Sequence, residues 1–261
     1  MTYQTVALIG KPDHRGIQDT LQQLITYLRK RECRVLVEES IKCDLETNEC
    51  ERANLVTIGK EADLAVVIGG DGSMLGAARV LSRFDIHVVG VNRGNLGFLT
   101  DIHPDQIEQQ LDIIFSGETV VEERFLLEVC VYRHEKLRSN NAAMNEVVLH
   151  HGKVAHMMEF EIYIDGQFVF SQRSDGLIVA TPTGSTAYSL SSGGPIVHPA
   201  VSAITLVSIC PHTMSHRPIV LHGESEVLIH VLDSVERATV SFDGQSTMPN
   251  QLGDKLRVKQ H

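Results

Sequence analysis

The stretch "VVIGGDGSML", residues 66–75, decides the fold. It closes a longer run, "ADLAVVI" at 62–68, that is apolar at successive rather than alternate positions. A strand apolar on both sides belongs in a sheet covered on both faces, the usual setting of parallel strands. The run stops at Gly69-Gly70-Asp71-Gly72. A helix-compatible segment follows, carrying Met74, Leu75, Ala77, Ala78 and Leu81. Ser73 is the expected cap of that helix. The order of strand, glycine turn and helix puts the loop at the carboxyl end of a strand, where open α/β sheets bind ligands. Glycines let the backbone turn tightly and approach a phosphate, and a helix start offers N–H groups and a positive dipole end. Asp71 cannot itself attract phosphate. Its task would be to accept a hydroxyl proton, bond a ribose, or hold Mg²⁺ through water. A β-turn made of ordinary turn residues is the other reading of the same four positions.

The flanking sequence repeats the pattern. "TVALIG" (5–10), "RVLVEE" (34–39) and "IHVVGV" (86–91) read as strands. Ile17, Leu21, Leu24, Ile25 and Leu28 have the spacing of one helical face. Residues 40–60 fit neither period. Strands alternating with helices predict a parallel α/β sheet. The strand at 86–91 also ends in a polar, glycine-rich loop, "VNRGNLGFLT" (91–100). Two such loops on adjacent strand ends are more suggestive of a site than either alone.

The texture changes near residue 119. "TVVEERFLLEVCVYR" and "MMEFEIYIDGQFVFSQ" are rich in β-formers, with a hairpin turn expected at Asp165-Gly166. Further short strands follow to the end, without long helical patterns. The expected organisation is an α/β domain over residues 1–119 and a β-rich domain over 120–261. Within the second lies "TPTGSTAYSLSSGG" (181–194), in which ten of fourteen residues are Gly, Ser or Thr. Its composition is that of a flexible linker. Its place between two apolar strands favours a binding loop.

The bulk composition excludes several classes. The chain has 261 residues, 23 Lys and Arg against 33 Asp and Glu, and a formal net charge of -10. A general nucleic-acid binder is more often basic. The five cysteines are odd in number and form no Cys-x-x-Cys pair, which argues against a disulfide framework or structural zinc site. No signal-like start or membrane-length apolar run is present, so a cytoplasmic location without membrane contact is expected. The P-loop pattern and a complete G-x-G-x-x-G are absent. No H-E-x-x-H occurs among the 13 histidines, and no dedicated metal cage is expected.

Two further polar groups stand out. Asn145 and Glu146 precede an apolar strand, and an adjacent amide and carboxylate suit a ribose diol; a solvated strand start explains them as well. Arg173 and Asp175 share one side of an alternating strand, as ligand contacts or as a surface ion pair.

Taken together, "GGDG" (69–72), "NRGNLGFL" (92–99), "NEVVLH" (145–150), "SDGLIVATPTGSTAYSLSSGGPIVHP" (174–199) and "FDGQ" (242–245) closely resemble the NAD kinase family. The resemblance covers nearly the whole chain and is closest to proteobacterial members. It implies a Rossmann-like N-terminal domain and a β-sandwich-like C-terminal domain. It implies ATP-dependent phosphorylation of the 2′-hydroxyl of the adenosine ribose of NAD, giving NADP, with Mg²⁺ or another divalent metal and a homo-oligomeric state of dimer or tetramer. By resemblance, Asp71 is the proton acceptor, with Gly72 contacting ligand beside it. Asn145 and Glu146 hold nucleotide hydroxyls. His156, Arg173 and Asp175 contact NAD. Thr186, Ala187, Tyr188, Ser189, Leu190 and Ser191 cradle the adenosine, and Gln245 completes the pocket. The same resemblance implies a further C-terminal segment beyond His261. A related glycine-aspartate kinase of lipid or sugar, and a non-catalytic dinucleotide sensor, are the alternatives.

Overall fold

The computed structural model describes residues 3–10, 17–41, 50–94, 97–151, 157–212, 216–234 and 238–261. The chain divides into two compact units, residues 1–121 and 122–261.

Unit 1 contains five parallel strands: β1 (Thr5–Gly10), β2 (Arg34–Glu38), β3 (Glu51–Ala53), β4 (Leu64–Gly69) and β5 (His87–Asn92). Its helices are α1 (Ile17–Lys30), α2 (Leu55–Glu61), α3 (Asp71–Leu81) and α4 (Ile107–Ser116). The strand order is β3-β2-β1-β4-β5, so the winding direction reverses between β1 and β4. Alternate side chains feed two cores. Val6, Leu8, Val35, Val66 and Ile68 pack with Leu21, Leu24 and Leu28 of α1 and with Ile107 and Leu111 of α4. Ala7, Ile9, Leu36, Ala65 and Val67 pack with Ile58 of α2 and with Met74, Ala77 and Leu81 of α3. Helices on both faces explain why β4 is apolar at every position: all six of its residues are buried.

Unit 2 pairs two six-stranded antiparallel sheets. Its strands are β6 (Leu127–Arg133), β7 (Lys136–Ala143), β8 (Glu146–His151), β9 (Met158–Ile164), β10 (Gln167–Ser174) and β11 (Gly176–Ala180). They continue with β12 (Ala203–Ile209), β13 (Ile219–His222), β14 (Val227–Ser234), β15 (Ala238–Phe242), β16 (Ser246–Pro249) and β17 (Lys255–Gln260). One sheet runs β10-β9-β14-β17-β6-β7 and the other β13-β12-β11-β8-β15-β16. Inward residues of both, among them Val129, Phe160, Ile229, Leu256, Leu149, Val179 and Phe242, form a single core. The expected hairpin at Asp165-Gly166 is present, with φ of 50° and 78°, the left-handed pair of a type I′ turn. No described helix is long and apolar enough to cross a membrane.

The second sheet is also buried on its other face. Val148, Ile178, Ala180 and Val207 are at most 5 % exposed there. The 181–194 segment lies against this face: a Cβ on Gly194 would approach Val207 to 2.9 Å. That segment is folded, as a 3₁₀ turn at Thr183–Thr186 and the short helix α5 (Tyr188–Ser191). The linker-like composition therefore reflects small residues fitted under a cover.

Candidate active site

The glycine-aspartate loop sits at the end of β4, beside the switch point between β1 and β4. Helix α3 begins at Asp71, with Gly70 as its cap residue and no side-chain cap bond. This corrects the expectation that Ser73 caps the helix. Ser73 lies inside the first turn and donates its backbone N–H to the Gly70 carbonyl. A Cβ on Gly69 would stand 2.3 Å from the Ser73 hydroxyl oxygen, so a glycine is required there.

Asp71 is half-buried and its carboxylate is fixed from across the site. Oδ2 accepts the Phe98 N–H at 2.9 Å and Oδ1 accepts the Leu99 N–H at 3.1 Å. The two glycine-rich loops foreseen at adjacent strand ends are thus joined through this one side chain. Gly97 makes the approach possible, because a Cβ there would lie 2.1 Å from Asp71 Oδ1. Each carboxylate oxygen has two lone pairs, so one N–H on each leaves room for a ligand hydroxyl. Gly72 follows in the first turn of α3, whose positive end faces the loop. Arg93 points elsewhere: its Nε donates to Thr20 Oγ1 of α1 at 2.6 Å.

In unit 2 a second site forms around the start of β8. Glu146 is 5 % exposed and its Oε2 has no hydrogen-bond partner; Asn145 Oδ1 and Ser189 Oγ are likewise buried and unpartnered. The Glu146 carboxyl accepts the Tyr188 backbone N–H. Burial, then the negative charge of Asp243, push the Glu146 carboxyl up to about 7, and the Tyr188 bond opposes this. The surrounding backbone is held closely. Thr181 donates N–H to the Asn145 carbonyl at 2.9 Å and its hydroxyl to the Met144 carbonyl at 2.6 Å. Gly184 packs so closely that a Cβ would stand 2.0 Å from the Asn145 carbonyl oxygen. From α5, Tyr188 and Leu190 project outward, 44 % and 42 % exposed, while Ser189 is fully buried between them. Thr186 and Ala187 are half-buried and Ser191 is exposed.

Register separates the remaining candidates. Glu146 pairs with Ala180, whereas Gly176 pairs with His150, so Asp175 lies at the opposite end of β11 from Glu146. That end is about 13 Å away at the usual rise per residue. Arg173 is exposed and Asp175 half-buried, where the chain crosses from one sheet to the other. Gln245 is exposed in the turn after β15. His156 lies outside the described residues.

Sequence reasoning missed Asp243. Its carboxylate accepts three consecutive backbone N–H groups: Met144 at 3.1 Å, Asn145 at 2.8 Å and Glu146 at 3.2 Å. Its own N–H returns to the Glu146 carbonyl at 3.0 Å. Asp243 and Gly244 have φ of 52° and 62° and turn β15 into β16. The Asp-Gly pair in "FDGQ" was the available signal, as a type I′ turn.

Among the described residues no group of three or more His, Cys, Asp or Glu side chains is placed to hold a metal. Mg²⁺ bound with a nucleotide keeps its waters and is held largely by the phosphates and one or two carboxylates. A single half-buried carboxylate on the glycine loop, Asp71, fits an ion brought in by a triphosphate.

A parallel sheet with a glycine-aspartate loop at its switch point, in a chain whose second unit buries polar groups without partners, defines a nucleotide-dependent phosphotransferase. Residues 6–119 match the ATP-NAD kinase N-terminal domain and residues 144–260 the ATP-NAD kinase C-terminal domain. The NAD kinase of Colwellia psychrerythraea is 55 % identical over 258 residues, covering 98 % of this chain and 88 % of the relative. That of Aeromonas salmonicida is 55 % identical over 259 residues, with the same coverage. Among solved structures, yeast NADH kinase complexed with NADH superposes with a TM-score of 0.86 at 29 % identity, covering 100 % of this chain and 79 % of that one. An NAD kinase from Archaeoglobus fulgidus in complex with ATP gives 0.75 at 26 % identity, covering 98 % and 90 %. The chain belongs to the ATP-NAD kinase family, and its activity is that of an NAD kinase.

Proposed function

We propose that this chain moves the γ-phosphoryl group of ATP to the 2′-hydroxyl of the adenosine ribose of NAD, with Asp71 as the proton acceptor. The carrying observation is the set of buried, unpartnered atoms Asn145 Oδ1, Glu146 Oε2 and Ser189 Oγ. Native folds rarely leave such atoms unsatisfied, and ligand hydroxyls would satisfy them. Asn145 and Glu146 therefore take nucleotide hydroxyls, and the exposed Tyr188 and Leu190 supply apolar surface for the adenine. Thr186, Ala187 and Ser191 line the same segment. Arg173 and Asp175, at the far end of β11, contact a more distant part of an extended dinucleotide. Gln245 borders the nucleotide from the turn after β15, and His156 and Gly72 are assigned to ligand contact by resemblance.

Asp71 orients the attacking hydroxyl and takes its proton. In a loose phosphoryl-transfer transition state this proton leaves late, so the aim of the carboxylate matters more than its strength as a base. The bonds from Phe98 and Leu99 do the aiming. A divalent ion would neutralise phosphate charge. The chain acts in the cytoplasm and assembles as a dimer or tetramer. The exposed Phe168 and Val169 on the edge strand β10 support assembly.

The test is to incubate the protein with NAD, ATP and Mg²⁺ and detect NADP with an NADP-specific dehydrogenase. Product above a protein-free blank is expected. Dinucleotide binding without turnover would replace the kinase by a sensor.

A further inference from the structure

Asp243 has no place in the roles above, yet its carboxylate accepts the backbone N–H groups of Met144, Asn145 and Glu146. It is 7 % exposed and stands in a left-handed turn whose φ of 52° is tolerated by Asp or Asn. From there its two oxygens collect the N–H groups of residues 144, 145 and 146. These three residues come from a part of the chain 97 to 99 positions earlier. A strand beginning at Glu146 leaves these N–H groups outside its ladder at its start, and buried donors must find an acceptor.

We propose that Asp243 is a positioning residue for the nucleotide site: it clamps the 144–146 backbone so that Asn145 and Glu146 face the ligand, and it holds a negative charge against the Glu146 carboxyl. This rests on the reading of Asn145 and Glu146 as hydroxyl-binding residues. Two groups act on Glu146, the Asp243 carboxylate from the β15–β16 turn and the Tyr188 N–H from α5. Burial and the Asp243 charge bring Glu146 to about 7. At neutral pH it is therefore divided between an acid that donates a hydrogen bond and a carboxylate that only accepts. Burial sets most of that balance, and Asp243, a residue that need not touch the ligand, shifts it further toward the acid. NAD affinity should then vary with pH around neutrality.

The experiment is the pH profile of kcat/KM for NAD, with ATP saturating, in three proteins. The unmodified enzyme should show an inflection near the Glu146 value, since this parameter reports groups of the free enzyme. Glu146→Gln should remove it. Asp243→Asn should move it toward acid by about one pH unit, because the repelling charge is gone. The same variant should raise KM for NAD on the order of tenfold and leave KM for ATP nearly unchanged. An inflection that stays in place in Asp243→Asn overturns the proposal. An inflection unmoved by Glu146→Gln overturns instead the placing of Glu146 at the nucleotide.

If Asp243→Asn does not fold, carboxyl ¹³C titration of the unmodified protein decides the matter. A Glu146 step near neutrality supports the proposal. A Glu146 step in the ordinary carboxylate range overturns it.

Discussion

Two aspartates do similar work in the two units and differ in one respect. Asp71 in unit 1 and Asp243 in unit 2 each accept backbone N–H groups from a distant loop, two in the first case and three in the second. Each depends on a nearby glycine, Gly97 for the approach to Asp71 and Gly244 for the turn that holds Asp243. Asp71 is half-buried and keeps a face toward solvent, whereas Asp243 is 7 % exposed and spends both oxygens on the protein. A carboxylate that orders a loop and still faces outward can also meet a substrate. One that is enclosed acts on substrate only through the residues it holds. On the proposed roles, the same hydrogen-bond pattern serves a reacting group at Asp71 and a positioning one at Asp243, and exposure is what distinguishes them.

The strongest way to break this comparison is Asp71→Asn. The side chain keeps its size, loses its charge, and can no longer accept a bond on both sides. Turnover should fall by about 10²- to 10⁴-fold, the usual worth of a positioned acid or base, as read by steady-state NADP formation. Gly97→Ala tests whether the aim of Asp71 matters. A Cβ 2.1 Å from its Oδ1 must displace the carboxylate. A loss of about 10- to 100-fold in kcat is expected, since an ångström of misplacement is costly in catalysis.

In unit 2 the corresponding change is Gly184→Ala, where the Cβ would meet the Asn145 carbonyl at 2.0 Å. Backbone has no rotamer to yield, so the expected cost is about 2 kcal/mol of stability, read by denaturant unfolding. NAD affinity should fall with it.

A further effect is a pH dependence of stability from Glu146. Its folded-state value is raised to about 7 from 4.5. The folded protein thus binds a proton that the unfolded chain has already lost. Its contribution is fully present below about 4.5 and is lost as pH rises through about 7. The difference is at most about 3 kcal/mol. In Glu146→Gln this segment of the unfolding profile should flatten.

The sequence was most legible where one chain segment carries the whole signal. "ADLAVVI" gave β4 because its burial on both faces is written in consecutive residues, and "IDGQ" gave a hairpin because two residues specify the turn. Residues 40–60 were unreadable for the opposite reason: β3 has three residues and α2 has seven, too short for a period to show. Ser73 looked like a cap because cap preference is local. In the fold the cap position is Gly70, three residues earlier, and Ser73 lies in the first turn, close against Gly69. The 181–194 segment was legible as a site but not as a structure, since Ser and Thr buried through backbone bonds have the same composition as solvated ones. Asp243 was hidden because its partners lie about a hundred residues away. Nothing in "FDGQ" names Met144, Asn145 or Glu146 as the owners of the N–H groups it accepts.

The division of labour between the two aspartates is tested most directly by single-turnover NADP formation at saturating NAD and ATP, with Asp71→Asn and Asp243→Asn side by side. The account predicts that Asp71→Asn slows the transfer step by about 100-fold or more, while Asp243→Asn, once saturated, stays within a few-fold of the unmodified enzyme. Equal losses, or a normal rate in Asp71→Asn with a slow one in Asp243→Asn, would contradict it.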